Sequence, residues 1–282
     1  MTIKAIKYGL TTLGFLFHAL VVANPAERME DSIELSDTTP LIAIIIDDLG
    51  NQKESGNRVI ALPGPVACAV MPHTAYANYL AEAAYVAGKE VMLHLPMQPV
   101  EMNRYSGPGE INLDTNQSNM RQILNADLNA VPHTVGVNNH MGSLITRHPG
   151  HMEWLMDELG RRGNLYFIDS YTTASSIAYQ MALEKGVPTA RRNVFLDNEM
   201  SASNIAMEFA RLKREATEYG FAIAIGHPYT VTLDYLEKEL PLLAEQGFKL
   251  VPVSRIVELQ ESINVVASQS SPVLQSVMLS SQ

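Results

Sequence analysis

Short apolar runs recur along the chain, separated by polar stretches that carry helical patterns. The runs are LIAIII (Leu41–Ile46), VACAVM (Val66–Met71), EVMLHL (Glu90–Leu95), TVGVN (Thr134–Asn138), LYFI (Leu165–Ile168), NVFL (Asn193–Leu196), FAIAI (Phe221–Ile225) and FKLVPV (Phe248–Val253). They do not alternate apolar with polar, and β-branched residues are common in them. Such runs suit strands buried on both faces, as in a parallel sheet. Between them, Thr74 can cap a helix over Ala75–Ala87 that ends at Gly88. Met152, Leu155, Met156 and Leu159 fall on one helical stripe, which stops near Gly163. Ser201 can cap Ala202–Tyr219, which carries Ile205, Phe209, Leu212 and Ala216 on one face and ends at Gly220. Val231 or Thr232 opens a helix to Gln246, closed by Gly247. Alternating strand and helix predict an α/β fold, either a doubly wound open sheet or a barrel. The first strand is followed by Asp-Asp and not by a Gly-rich phosphate loop, which weakens a nucleotide-binding reading.

Composition narrows the picture. The 282 residues are 46% hydrophobic and 18% charged, enough for a sizeable core and too apolar for global disorder. A net charge of −10 argues against nonspecific binding to nucleic acid or to an anionic membrane surface. Cys68 is the single cysteine, so an internal disulfide framework and a Cys-rich zinc site are excluded. Residues 1–23 read as an export signal. Lys4 and Lys7 precede a charge-free, mostly apolar stretch from Tyr8 to Ala23, with Val21 and Ala23 as small-residue cleavage positions. The stretch is short for a spanning helix, so no integral span is expected after cleavage, and the protein is expected in the periplasm or outside the cell. Residues 24–39 read as an acidic linker, 40–261 as one working domain, and 262–282 as a Ser/Gln-rich tail without helical or strand period.

In a parallel α/β fold the C-terminal strand ends converge on one face, where chemistry sits. This sequence places Asp47 and Asp48, His94, Asn139 and His140, Asp169, Asp197 and His227 at such ends. An aspartate after a strand is often a helix cap or a turn residue, and Asp169 and Asp197 fit that reading equally well. Adjacent Asp47 and Asp48 are harder to explain so, because two carboxylates beside a buried run repel unless a cation or partner compensates. Three strand-end histidines with carboxylates point to a divalent metal site and metal-assisted hydrolysis. His73, His133, His148 and His151 lie at turns or helix starts and are expected at the surface.

The strings IAIIIDDLG, VMLHLPMQP, GVNNHMGS, FIDSYTT, RRNVFLDN and IAIGHPYT, closed by KLVPVSRIVEL, resemble in order the divergent polysaccharide deacetylases, a branch of the NodB-like carbohydrate esterases. The resemblance covers about Pro40 to Leu259. It implies a distorted (β/α) barrel of about seven units, a divalent metal such as Zn2+, and N- or O-deacetylation of a sugar polymer. By position it implies Asp47 as catalytic base, Asp48 and His94 as metal ligands, His227 as general acid, and Asp169 as a residue tuning catalytic partners. Gln98 stands where the typical family carries a second histidine, and His140 stands ready to replace that ligand from the neighbouring strand. An arginine that typically holds the catalytic aspartate is also absent, and Arg191 or Arg192 is a candidate to restore it. Asn139, Tyr105 and Tyr229 are candidate substrate contacts. Two rival readings stay open. One is a catalytically weak carbohydrate-binding or regulatory envelope protein on the same fold. The other is a glycosidase pairing Asp47 with Asp169 or Asp197. The polymer and the oligomeric state are left open.

Overall fold

The computed structural model describes residues 39–101 and 105–269. The expected signal, nearly all of the linker and the last residues of the tail lie outside the described residues. The strands are β1 (Leu41–Leu49), β2 (Ala67–Val70), β3 (Val91–Met97), β4 (Thr134–Met141), β5 (Tyr166–Asp169), β6 (Thr189–Arg191), β7 (Val194–Phe195), β8 (Phe221–Gly226) and β9 (Lys249–Leu250). The helices are α1 (Lys53–Ala61), α2 (Ala77–Val86), α3 (Gln117–Ala130), α4 (Pro149–Arg162), α5 (Ala178–Glu184), α6 (Ala202–Tyr219), α7 (Thr230–Glu239) and α8 (Val253–Gln269). Among the described residues no helix is long and apolar enough to cross a membrane.

The paired strands run parallel in the order β6-β5-β4-β3-β2-β1-β8-β7, with β9 beside the start of β1. The two edges of this sheet are consecutive in the chain. Arg192 N donates to Asp169 O on the β5 side at 3.0 Å, and Asn193 N donates to Ile223 O on β8 at 2.9 Å. Asn193 Oδ1 also accepts from Ile223 N at 2.9 Å. One extended segment therefore bridges both edges, and the sheet curls into the distorted barrel that the family resemblance implies, not the open sheet that strand–helix alternation also allowed.

Side chains on successive strand residues point to opposite faces. Ile42, Ile44 and Ile46 face the outer layer of helices, whereas Ala43 and Ile45 face the barrel interior with Ala67, Ala69, Met92, Ile168, Ile223 and Ile225. The lower end of that interior is plugged by α8, whose Val253, Ile256 and Val257 join the inner cluster. The Glu90 carboxylate caps this helix, accepting from Val253 N at 2.8 Å and Ser254 N at 3.3 Å. The lower end is mostly apolar, apart from the Tyr166 hydroxyl, which meets Glu90 at 3.3 Å, and the polar cluster gathers at the C-terminal strand ends.

Several local expectations need correction. Thr74 does not cap α2; its hydroxyl donates to Met71 O, and the helix starts at Ala77. The helix expected to reach Gln246 stops at Glu239, because Pro241 lacks the N–H that would continue it and a 3-10 turn follows. The helix at the C-terminus passes Glu261 and runs to Gln269, so the first part of the expected tail is helical. Helix α3, which the sequence reading passes over, carries Met120, Ile123, Leu124 and Leu128 on one stripe with the buried Asp127 among them, and Asn116 caps it by accepting from Asn119 N. His151 is buried and not a surface residue, and His148 caps α4.

Two glycines test the packing in opposite directions. A Cβ at Gly136 in β4 would collide with the Tyr166 ring inside the barrel, whereas one at Gly160 in α4 would make ordinary contact with Val187 at 3.8 Å. We expect Gly136→Ala to lower stability by about 1–3 kcal/mol. Gly160→Ala should raise it by roughly 0.5–1 kcal/mol through helix propensity. Urea unfolding midpoints at unchanged slope check both.

Candidate metal centre and active site

The inward positions at the strand ends are polar on β1, β3 and β4, with the apolar β2 lying between β1 and β3. On β1 the register against β2 shifts between Ile46 and Leu49, and Asp48 takes a left-handed φ of 59°. In a regular strand Asp47 and Asp48 would face opposite sides. The irregularity turns both carboxylates into the site, a familiar use of a bulge near an active centre. From β3 comes His94, in register with Asn138 of β4, while Pro96 is in register with His140. Asn138 and His140 are two residues apart and so share the inner face.

Three ligand-type atoms crowd one point. His140 Nδ1 lies 2.9 Å from Asp48 Oδ1, and His94 Nε2 lies 3.2 Å from it. The two ring nitrogens are 3.1 Å apart. Asp48 Oδ1 is buried with no hydrogen-bond donor in good geometry. An arrangement so short of protons and so rich in lone pairs suits a cation, and one oxygen with two imidazoles is a common divalent set. Among the described residues, Asp48, His94 and His140 form the group of this kind, their donor atoms all within 4.8 Å of one another.

Asp47 lies beside this group, buried, with Oδ2 3.5 Å from His94 Nε2. Its Oδ1 accepts from Asn138 Nδ2 at 2.8 Å. Burial pushes the Asp47 carboxyl above its ordinary value, against the pull of His94 and His227. Burial also acts on Asp48, but the His140 and His94 imidazoles beside it override the effect and hold it well below the usual carboxylate range. For His94, burial lowers the ring's pKa, and the Asp47 and Asp48 charges more than offset it.

His227, just past β8, faces the group from the other side, with Nε2 3.8 Å from Asp48 Oδ2. Asp197 holds it from behind. Its Oδ1 lies 2.9 Å from His227 Nδ1, and its Oδ2 accepts from His227 N at 2.7 Å and Thr232 Oγ1 at 2.8 Å. Burial opposes charging of this ring, yet the Asp197 hydrogen bond and the Asp47 charge raise it to about 9. A divalent cation on Asp48 would offset part of that pull.

Other sequence candidates stand apart from this group. Asp169 faces its own loop: its carboxylate accepts from Tyr171 N, Ser176 Oγ and Tyr179 N. Asp197 is committed to His227, so neither aspartate is free to pair with Asp47 as a glycosidase would require. Asn139 is buried with its amide engaged at both ends, donating to Met141 O and accepting from Ser170 N, so it shapes the loop and offers nothing to a substrate. Arg192 donates to Ser170 O at 2.6 Å and Tyr171 O at 2.9 Å, and Arg191 lies over the Tyr171 ring. Neither makes the pair to Asp47; the hydrogen bond there comes from Asn138. Gln98 serves the β3–α3 loop, accepting from Leu113 N on its side chain and from Leu144 N and Ile145 N on its carbonyl. Tyr229 sits beside His227, ring centroids 5.4 Å apart, and Tyr105 is 69% exposed. The sequence reading takes Asn139 and His140, the last polar pair of the strand, and passes over Asn138. Period two was the available signal, since it puts 138 with 140 and sends 139 to the other face.

A profile of the divergent polysaccharide deacetylase family matches residues 44–257. The uncharacterized protein YibQ of Escherichia coli strain K12 is 36% identical over 202 residues, which are 70% of this chain and 61% of that protein. The chain thus matches less than two thirds of that relative's length. The structure of the uncharacterized protein ATU2773 from Agrobacterium tumefaciens C58 has a TM-score of 0.74 at 22% identity, covering 77% of this chain and 89% of that one. A mutant of BA3943 from Bacillus anthracis, described as a CE4 family pseudoenzyme with restored enzymatic activity, has a TM-score of 0.50 at 15% identity, covering 78% of this chain and 68% of that one. At these identities the likeness to solved structures shows the fold alone. The profile runs from β1 into α8 and so takes in every strand that supplies the cluster; this chain belongs to the divergent polysaccharide deacetylase family.

Proposed function

We propose that this protein is an exported, metal-dependent deacetylase that removes acetyl groups from an envelope or extracellular polysaccharide. The observation that carries the reading is the convergence of Asp48, His94 and His140, flanked by the buried carboxylate of Asp47 and the Asp197-backed ring of His227. A divalent ion held by Asp48, His94 and His140, zinc by its oxygen and nitrogen ligands, would supply Lewis acidity and activate a water near neutral pH. Asp47 accepts the proton of the attacking water at Oδ2, the oxygen left free by Asn138. His227 presents Nε2 to the site because Nδ1 is held by Asp197, and it protonates the departing amine or alcohol. Tyr229 and the exposed Tyr105 offer ring faces to a sugar. The export part of the reading rests on Lys4, Lys7 and the charge-free stretch after them.

A second reading is carbohydrate binding without turnover. Gln98 favours it, since position 98 holds a loop and contributes no imidazole. Acetate release from acetylated peptidoglycan and chitin oligomers separates the two. The expected result is release by the metal-replete protein, loss on chelation and recovery on adding Zn2+. Tight glycan binding with no acetate release from metal-replete protein would establish the second reading instead.

A further inference from the structure

We propose that Asn138 is the positioning residue of this site, fixing which nitrogen of His94 carries the proton while it aims the Asp47 carboxylate. The argument starts from the amide's two unlike ends. A carboxylate only accepts, so the end of Asn138 that lies 2.8 Å from Asp47 Oδ1 is the NH2. The same nitrogen lies 3.2 Å from Ser170 Oγ, which takes its second hydrogen. The opposite end is then the carbonyl, and it lies 3.0 Å from His94 Nδ1. A carbonyl oxygen needs a donor, so the neutral His94 ring carries its hydrogen on Nδ1. Its Nε2 keeps a lone pair, and that is the atom facing Asp48 Oδ1 and His140 Nδ1. Asn138 is fully buried and His94 and Asp47 nearly so, which leaves no room for water to substitute for either contact. One side chain thus locks the Asp47 carboxylate and the His94 ring into a single arrangement. No other common side chain of this size carries a donor at one end and an acceptor at the other.

The consequence for catalysis rests on the metal-dependent reading above, but the tautomer does not. The test is therefore made first on metal-free protein. Long-range nitrogen–proton spectra of imidazole-labelled protein are recorded at a pH where the His94 ring is neutral, for the parent, Asn138→Asp and Asn138→Leu. Zn2+ affinity of each is then measured by competition with a chelating dye. The parent should show His94 protonated on Nδ1. Asn138→Asp keeps an accepting oxygen and should keep that tautomer. Asn138→Leu removes it, and the ring should shift toward the Nε2–H form, which can donate to Asp48. Zn2+ affinity of Asn138→Leu should fall by about 10–100-fold, as when a partner orienting a ligand is lost. The proposal is overturned if Asn138→Leu keeps the parent tautomer or the parent affinity. Should Asn138→Leu not fold, the parent spectrum decides: a His94 ring protonated on Nε2 overturns the proposal, and one protonated on Nδ1 that persists in Asn138→Asp upholds it. Absence of deacetylase activity in the parent would count against the proposed function and leave these readouts intact.

Discussion

Replacing Asp47 by asparagine is expected to leave the metal in place and to lower turnover on acetylated glycans by about 10²–10⁴-fold, the range of a lost general base. The substitution keeps the shape of the side chain. Its carbonyl can still accept from Asn138 Nδ2, so the hydrogen bond that aims it survives. What disappears is the capacity to take a proton at the oxygen facing His94 Nε2, 3.5 Å away. The three ligand atoms, on Asp48, His94 and His140, are untouched. Elemental analysis should therefore find the parent metal content, and KM should change much less than kcat. Burial, with some repulsion from the half-buried Asp48, disfavours the Asp47 charge, so a neutral amide there should leave the variant no less stable than the parent. Parent-like turnover in a metal-replete Asp47→Asn protein would show that another group takes the proton.

The parallel strands were legible because they are buried on both faces, which writes them as unbroken apolar runs such as Leu41–Ile46 and Phe221–Ile225, whereas their closure into a barrel came from the family resemblance. Helices with a full apolar stripe, such as α6 with Ile205, Phe209, Leu212 and Ala216, were legible for the same reason. Helix α3 was less plain: Met120, Ile123, Leu124 and Leu128 share a stripe, but the buried Asp127, which hydrogen-bonds His73 at 2.7 Å, falls inside it. At the site, the residue types at strand ends could be read, but not which way each points. Asp48 faces the site only because β1 is irregular there, a backbone event with no sequence period. The role of Asp197 was hidden for a related reason. An aspartate after a strand is a common turn residue, and only the fold brings β8 and His227 within 2.9 Å of it. Asp169, at the same kind of position, is satisfied by its own loop instead.

His140→Ala should weaken Zn2+ binding by more than about 100-fold, beyond the loss usual for an outer contact. The imidazole supplies Nδ1 at 2.9 Å from Asp48 Oδ1, on the strand next to that of His94. Without it the described cluster keeps Asp48 and His94, and Gln98, turned to the loop backbone at Leu113, is not placed to compensate. The loss is also visible as stability. A ligand that binds only the folded state stabilises by about 2.7 kcal/mol at a concentration 100 times its Kd. The parent's Tm should therefore climb with added Zn2+, and that of His140→Ala should stay nearly flat over the same range. His151→Ala is the control. It removes a buried histidine whose Nδ1 contacts His148 Nδ1 at 3.0 Å on α4, away from the cluster. That variant should lose stability to the cavity it leaves, yet keep the parent's Zn2+ response. Because a ligating imidazole must be neutral, parent affinity should also fall as pH drops through the titration of His94. The Nε2 of His94 is tied to the charges of Asp47 and Asp48, which favour its protonated form in the metal-free protein, so proton and cation compete for the same lone pair. A His140→Ala protein with the parent's Zn2+ content and the parent's Tm response would remove His140 from the ligand set, leaving Asp48 and His94 to hold an ion with a third donor from elsewhere.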